Sequence, residues 1–143
     1  MRKTVGLGIQ DFEQAIKENN FYIDKTKFIS EWWKSGDSVT LITRPRRFGK
    51  TFTLSTVEKF FSARQENAHE LFRGLEVAGD VEMMKECAQW PVLFLSFASI
   101  KSSSYEGSLS QFNRIFVKKA SELLYTKDEW DDKDADFYAH ISS

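Results

Sequence analysis

Cysteine, proline and long apolar runs are scarce in this chain of 143 residues, which contains one cysteine and two prolines. A single cysteine, Cys87, excludes an internal disulfide framework and leaves any zinc site without further sulfur ligands. We expect Cys87 to be a buried small apolar residue. No window is long and apolar enough for a membrane span or a signal peptide, so the sequence predicts a cytoplasmic protein without a membrane partner.

Excess charge of one sign is absent as well, because 20 Lys and Arg face 21 Asp and Glu, for a net charge of -1. No global field therefore attracts nucleic acid or anionic lipid, and any such attraction must be local. His69 and His140 stand apart from other metal-ligating residues, which predicts surface or capping roles. The length and the 41% apolar content are those of one helix-leaning globular domain.

Apolar residues recur at helical spacing in several places, next to residues that start and stop helices. The two tryptophans of the second predicted helix, Trp32 and Trp33, belong to a stripe that we expect to face the core. The first predicted helix runs from Phe12 to Asn19 and is capped by Asp11. The second is capped by Asp24 or Thr26, runs through Trp33 and ends at Ser35-Gly36. The other predicted helices start after Gly49 or cover 68–73, 81–88, and Ser108 to Tyr125.

Two short segments predict β-strands and therefore an α/β fold. Ser38 to Thr43 is β-branched and follows a turn, and Val92 to Phe97 is almost continuously apolar, as in a strand covered on both faces. The first is followed by a loop and then by the predicted helix after Gly49. A phosphate-binding loop works in that order, because it presents backbone N–H groups at the start of a helix.

The loop itself lies within residues 41–51, Leu-Ile-Thr-Arg-Pro-Arg-Arg-Phe-Gly-Lys-Thr, and ends like the motif G-x-x-x-x-G-K-[ST]. Gly49 permits a close backbone approach, Lys50 supplies a cation for β- and γ-phosphates, and Thr51 offers a hydroxyl to Mg²⁺. Arg44 stands where the motif has its first glycine. The flanking predicted strand and helix nevertheless favour phosphate binding.

Four cations within seven residues, Arg44, Arg46, Arg47 and Lys50, leave two other interpretations open. They also fit a solvated basic loop without a ligand, or a clamp on nucleic acid. The rest of the sequence has no basic cluster of similar density, whereas proteins that track nucleic acid spread charge along a face. Phosphate binding is therefore the preferred hypothesis.

Taken together, Gly8 to Phe12, Phe21 to Thr26, Leu41 to Thr53 and Trp90-Pro91-Val92 resemble the opening part of the predicted AAA-ATPase-like proteins. The similarity covers about residues 5 to 100. In that family Arg-Pro-Arg-Arg-Phe-Gly-Lys-[Ser/Thr] is the usual phosphate loop, so Arg44 fits it. The resemblance implies an incomplete AAA-type P-loop NTPase-like domain of the α/β class, helix-rich with two parallel-type strands, which longer members often fuse to a PD-(D/E)XK nuclease-like domain.

The resemblance also implies a nucleotide site that holds ATP and Mg²⁺. Lys50 would be the catalytic residue and Thr51 the contact to magnesium through the nucleotide, while Asp24 and Lys25 are weaker candidates beside the adenine. Helix capping is the alternative role for Asp24. The implied cofactor-binding residues are Arg44, Pro45, Arg46, Arg47, Phe48, Gly49, Lys50, Thr51 and Phe52.

The expected domain organisation is a helical lead-in over about residues 1–36, a P-loop core portion over 37–125 and an acidic tail over 126–143. No apolar strand ending in Asp-Glu occurs, although a hydrolytic site of this family needs one for magnesium and water. We therefore expect the N-terminal portion of a larger ATPase that binds nucleotide without hydrolysing it. We also expect that this portion either lacks a C-terminal region or self-associates. Nucleic acid would be a partner only of a longer form. The alternative is a non-enzymatic interaction module that uses Trp32, Trp33, Trp90 and Trp130.

Overall fold

The computed structural model describes residues 8–20, 22–45 and 48–123, and the chain divides into two compact units, Met1–Pro91 and Val92–Ser143. Helices are the main regular structure of the described residues. The first unit contains α1 (Phe12–Lys17), α2 (Lys27–Ser35), α3 (Lys50–Phe61), α4 (Ala68–Leu71), a 3-10 helix (Glu76–Gly79) and α5 (Val81–Lys85), and the second contains α6 (Tyr105–Leu123).

Helix starts and stops follow the local signals of the sequence closely. Asp11 caps α1, since its side chain accepts a hydrogen bond from the Gln14 N–H at 2.8 Å. Gly36 ends α2 in the left-handed conformation, with φ 69°. Helix α6 begins three residues before the predicted Ser108, because the Ser104 hydroxyl accepts from the Gly107 N–H at 3.1 Å and starts the helix earlier.

The core of the first unit is built from aromatic rings. Phe12, Phe60 and Phe72 are fully buried. The ring of Phe12 stacks on that of Phe72 with centroids 4.7 Å apart, and Phe60 meets Phe72 edge-on at 5.0 Å. Cys87 is also fully buried, which confirms its prediction as a small core residue, and burial raises the pKa of its thiol to about 11.

Polar contacts fix α1 against α3. The Phe12 N–H donates to the Ser55 hydroxyl at 3.1 Å, and that hydroxyl lies 3.4 Å from the Asp11 carboxylate. One turn further along α3, Lys59 forms an ion pair with Glu13, the residue after Phe12, at 3.4 Å. The helix that follows the candidate phosphate loop is therefore held by α1 at two places.

The predicted α/β fold with two parallel-type strands is wrong, because the described residues contain no β-sheet. Segment 38–43 is irregular, and Val39 and Leu41 are 86% and 83% exposed. A strand needs a neighbour for its N–H and C=O groups, and β-branched composition alone does not supply one. Segment 92–97 is irregular too.

The backbone at Trp90, where the second strand was expected to open, pairs instead with the end of α3. The Trp90 N–H donates to the Phe61 carbonyl at 2.9 Å, and the Ala63 N–H donates to the Trp90 carbonyl at 2.9 Å. An isolated parallel bridge joins Ser62 to Trp90. These bonds occupy the N–H and carbonyl groups of Trp90, so Trp90 itself cannot pair with a neighbouring strand through them.

A tryptophan cluster, formed by Trp32, Trp33, Phe61 and Trp90, covers one end of the first unit. Trp33 stacks on Phe61 at 4.8 Å and meets Trp90 at 5.2 Å. Trp32 and Trp33 are half-buried and Trp90 is 43% exposed. The stripe on α2 thus packs on α3, as the spacing predicts, but its outer side remains open to solvent.

The second unit packs its described aromatic residues along α6. Phe112 lies 5.5 Å from Phe97 and 6.3 Å from Phe116 between ring centroids. The Gln111 side chain exchanges two hydrogen bonds with the Lys101 backbone, at 3.0 and 3.1 Å. Across the part of the chain that the structure describes, no helix is long and apolar enough to cross a membrane.

Candidate functional site

The candidate phosphate loop leads directly into α3. Gly49 is the N-cap residue and has φ 71°, a left-handed conformation that glycine adopts without strain. A Cβ atom at this position would meet nothing within 4 Å, so the backbone conformation, rather than space, requires glycine. The Gly49 carbonyl accepts the first helical bond, from the Thr53 N–H at 2.8 Å. The preceding N–H groups of α3 have no partner within the helix, as at any helix start.

Lys50 folds back across this loop. Its ammonium group donates to the Arg44 carbonyl at 2.5 Å, which joins the first and last parts of the basic segment. The ammonium charge is thereby held beside the start of α3, where a phosphate would also lie. Arg44 and Pro45 are exposed and Thr51 is exposed on the first turn, whereas Arg46 and Arg47 lie outside the described residues.

A cavity of about 510 Å³ opens beside the start of α3, within the size range of sites for small molecules. Three stretches of chain contribute its walls: α1 with its flanks, the segment after α1, and the loop that begins α3. Most of the lining is aliphatic or aromatic. The lining residues are Ile9, Ala15, Asn20, Tyr22, Ile23, Lys25, Phe48, Gly49, Phe52 and Thr53.

The motif Tyr-Ile-Asp-Lys-Thr divides into wall residues and supporting residues. Tyr22, Ile23 and Lys25 line the cavity, whereas Asp24 does not. The Asp24 carboxylate accepts from the N–H of Thr26 at 2.8 Å and from the N–H of Glu76 at 2.6 Å. Burial opposes its ionisation, but these hydrogen bonds outweigh burial and hold the pKa of Asp24 below its usual value. Asp24 therefore has a structural role, but it does not cap α2, whose N-cap residue is Thr26 and lacks a side-chain capping hydrogen bond.

Tyr22 connects the cavity wall to the aromatic core. Its ring lies 5.6 Å from that of Phe52 on α3 and 5.7 Å from that of Phe12 on α1. Burial raises the pKa of Tyr22 to about 12, so the phenol is neutral at physiological pH. The wall formed by Tyr22 and Phe52 is thus an uncharged aromatic surface, of the kind on which a planar heterocycle can stack.

Asn20 is a wall residue that lies outside the site residues predicted from the sequence. It follows Asn19, whose φ of 51° turns the chain sharply after α1. Asn20 is only 9% exposed although its side chain is polar. The pair Asn19-Asn20 was a detectable signal for the turn, but burial of the second amide depends on the tertiary packing of α1.

No metal ligand set accompanies the cavity within the described ranges. In residues 8–20, 22–45 and 48–123, no group of three or more His, Cys, Asp or Glu side chains could hold a metal ion. Among the described residues, the start of α3 and the Lys50 ammonium could bind an anion, and the aromatic wall could bind a planar group.

Comparisons with known proteins place the chain in a family. The family model described as Predicted AAA-ATPase matches residues 6–143. Over 98 residues, 67% of its length, the chain is 37% identical to an uncharacterized protein in the vnfD 5' region of Azotobacter chroococcum mcd 1. It spans 17% of that relative.

No solved structure matches the chain significantly. The family match confirms the resemblance seen in the motifs, while a fused nuclease-like domain stays a prediction. Because the match covers nearly the whole sequence, the chain belongs to the predicted AAA-ATPase family.

Proposed function

We propose that this chain binds ATP, with its phosphates at the start of α3 and its base in the adjoining cavity. The observation that carries the proposal is the shared wall: Phe48 and Gly49 of the candidate phosphate loop, with Phe52 on the first turn of α3, also line the 510 Å³ cavity. A phosphate group and a base joined by one ribose need such neighbouring sites. Membership of the predicted AAA-ATPase family supports the same ligand.

Each residue of the loop would have a distinct role. The backbone N–H groups at Gly49 to Thr51 would hold phosphate oxygens, and the Lys50 ammonium would exchange the Arg44 carbonyl for the β- and γ-phosphates. This exchange costs little, because an exposed backbone carbonyl regains water when the lysine leaves it. Arg46 and Arg47 are proposed to add positive charge along the same loop.

Magnesium would arrive with the nucleotide rather than bind alone. Its proposed protein contact is the exposed hydroxyl of Thr51, and no acidic cluster in the described part of the chain could complete a metal site. Bound Mg²⁺ supplies charge neutralisation for the phosphates. Without a carboxylate to orient water or magnesium, the proposal is limited to binding and does not extend to hydrolysis.

Thermal unfolding with and without MgATP tests the proposal. At 1 mM ATP and a Kd of about 10 μM, binding stabilises the folded state by about 2.7 kcal/mol, which raises Tm by several degrees. Lys50→Ala should remove the shift. Lys27→Ala is the matched control, because the Lys27 side chain is 70% exposed and does not line the cavity. An unchanged melt of folded wild-type protein at millimolar ATP would eliminate the proposal.

A second candidate function, self-association as an interaction module, is favoured by apolar exposure in the first unit. Val39, Leu41 and Trp90 are 86%, 83% and 43% exposed. A second copy of the chain would bury such side chains. Light scattering should then show a mass that rises with concentration and falls in a Trp90→Gln variant, whereas a constant monomer mass would dismiss this function.

A further inference from the structure

A buried amide forms part of the cavity wall and is held in place from two sides. The Asn20 N–H donates to the Ala15 carbonyl at 3.1 Å, which fixes the backbone just after α1. The Asn20 Nδ2 group donates to the Glu18 carboxylate at 3.1 Å. Glu18 is itself held, since the Gln14 side chain donates to its other oxygen at 3.0 Å. Asn20 is therefore more rigid than a surface asparagine.

The contact with Glu18 also fixes which end of the amide is available. A carboxylate can only accept hydrogen bonds, so the NH₂ group must face Glu18 and the carbonyl oxygen Oδ1 is the polar atom left over. No donor among the described residues bonds to Oδ1, although the residue is 91% buried, the complement of its 9% exposure. A buried acceptor without a donor is costly, and a ligand that brings a donor would relieve that cost.

Two other polar lining residues, Tyr22 and Lys25, differ from Asn20 in the hydrogen bonds that they can offer a base. The Tyr22 hydroxyl accepts from the Lys25 N–H at 3.4 Å, and the Lys25 residue is exposed. A lysine can donate to O6 and N7 of guanine, whereas an amide oxygen accepts from the N6 amine of adenine. Burial favours the amide as the discriminating group, because water competes with the exposed lysine.

We infer that Asn20 Oδ1 accepts a hydrogen bond from the exocyclic amine of adenine and selects adenine nucleotides against those that carry an oxygen at the same ring position. The inference rests on the proposed function, since it assigns the base of the same bound nucleotide. A 6-oxo group would place one acceptor against another, and neither oxygen could then be satisfied.

Binding of three nucleotides to the full chain tests the inference by isothermal titration calorimetry with Mg²⁺ present. ATP carries an amine at purine position 6, inosine triphosphate carries an oxygen, and purine riboside triphosphate carries hydrogen. ATP should bind about tenfold more tightly than each of the other two, the factor that one lost hydrogen bond with an unsatisfied partner produces. Because this comparison uses wild-type protein, it does not depend on a variant that folds.

Asn20→Leu keeps the volume but removes the acceptor, so ATP and inosine triphosphate should bind with equal affinity. Asn113→Leu, an exposed asparagine of α6, is the matched control and should keep the tenfold preference. If wild type binds ATP and inosine triphosphate with equal affinity, and Lys50→Ala abolishes both, the role of Asn20 is overturned while nucleotide binding at the loop stands. A preference that survives in folded Asn20→Leu would also overturn it. Absence of any nucleotide binding would overturn both.

Discussion

Glu13 is expected to be the acid-sensitive residue of the first unit. It lies on α1 and forms ion pairs with Lys17 at 2.7 Å and with Lys59 of α3 at 3.4 Å. Its carboxylate also accepts hydrogen bonds from the side chains of Gln65 and Asn67 at 3.2 and 3.1 Å. Its side chain is 20% exposed. Glu13→Gln keeps the shape of the side chain, removes its charge and replaces one accepting oxygen with an NH₂ group, so it tests the charge together with the hydrogen bonds to that oxygen.

The size of the effect follows from the pKa of Glu13. The hydrogen bond from Lys17 lowers the pKa of Glu13 most, and burial raises it. Asn67, Gln65 and Lys59 lower it further, so that the pKa falls from 4.5 to about 2. At 1.36 kcal/mol for each pKa unit, ionised Glu13 stabilises the fold by at most about 3.4 kcal/mol. Lys17 is 62% exposed, and water weakens that contact, so we expect about 2 kcal/mol.

The sign of the pH dependence is fixed by the direction of the shift. A carboxyl group with a lowered pKa in the folded state stabilises the fold fully above its unfolded value of 4.5, and loses this contribution as the pH falls toward 2. Glu13→Gln should therefore be about 2 kcal/mol less stable than wild type at pH 7. The difference should shrink steadily below pH 4.5 and fall to a small fraction of its pH 7 value at pH 2, where about half of the Glu13 side chains in folded wild type are protonated.

Urea unfolding followed by tryptophan fluorescence measures this difference, because Trp32, Trp33 and Trp90 all lie in the first unit. Glu31→Gln is the control. Its ion pair with Lys27 spans 3.6 Å between side chains that are 67% and 70% exposed, and should contribute less than about 0.5 kcal/mol. If Glu13→Gln costs no more than Glu31→Gln at pH 7, or if its cost is the same at pH 2.5, the network around Glu13 does not stabilise the fold as argued.

Two further predictions concern Gly49 and Cys87. Gly49→Ala places a Cβ at φ 71° and should cost about 1–2 kcal/mol, whereas Gly79→Ala, at a glycine without positive φ or close neighbours, should cost less in the same thermal melts. Equal costs would mean that the left-handed conformation of Gly49 is not required. Because Cys87 is fully buried and burial raises the pKa of its thiol to about 11, a thiol reagent at pH 8 should label it only after urea unfolds the chain. Rapid labelling of folded protein would contradict its burial.

The sequence predicted the helices well because their signals are local. Asp11 before α1, Gly36 after α2 and Gly49 before α3 each act through one or two neighbouring backbone groups. The strand predictions failed because a strand is defined by its partner. The composition of 38–43 and 92–97 suits strands, yet the described residues supply no neighbour that completes a sheet.

The site was predictable in part for the same reason. Spacing alone pointed to Gly49, Lys50 and Thr51, and the structure places all three at the start of α3. The cavity was not predictable, because its walls come from stretches that approach one another only when α1 packs on α3. Burial of Asn20 and the turn of Asp24 toward Glu76 are likewise tertiary outcomes, which no local pattern contains.

Packing of α1 on α3 joins the stability of the first unit to the shape of the cavity. The contacts of Ser55 with Asp11 and Phe12, and of Lys59 with Glu13, hold the helix that begins at the loop against the helix that precedes Asn20. Loosening these contacts would move the cavity wall at α1 relative to the wall at α3. Glu13→Gln should therefore lower the affinity for nucleotide as well as the stability of the fold. Lys50→Ala and Asn20→Leu remove groups that we propose to contact the nucleotide, and should therefore change binding more than stability.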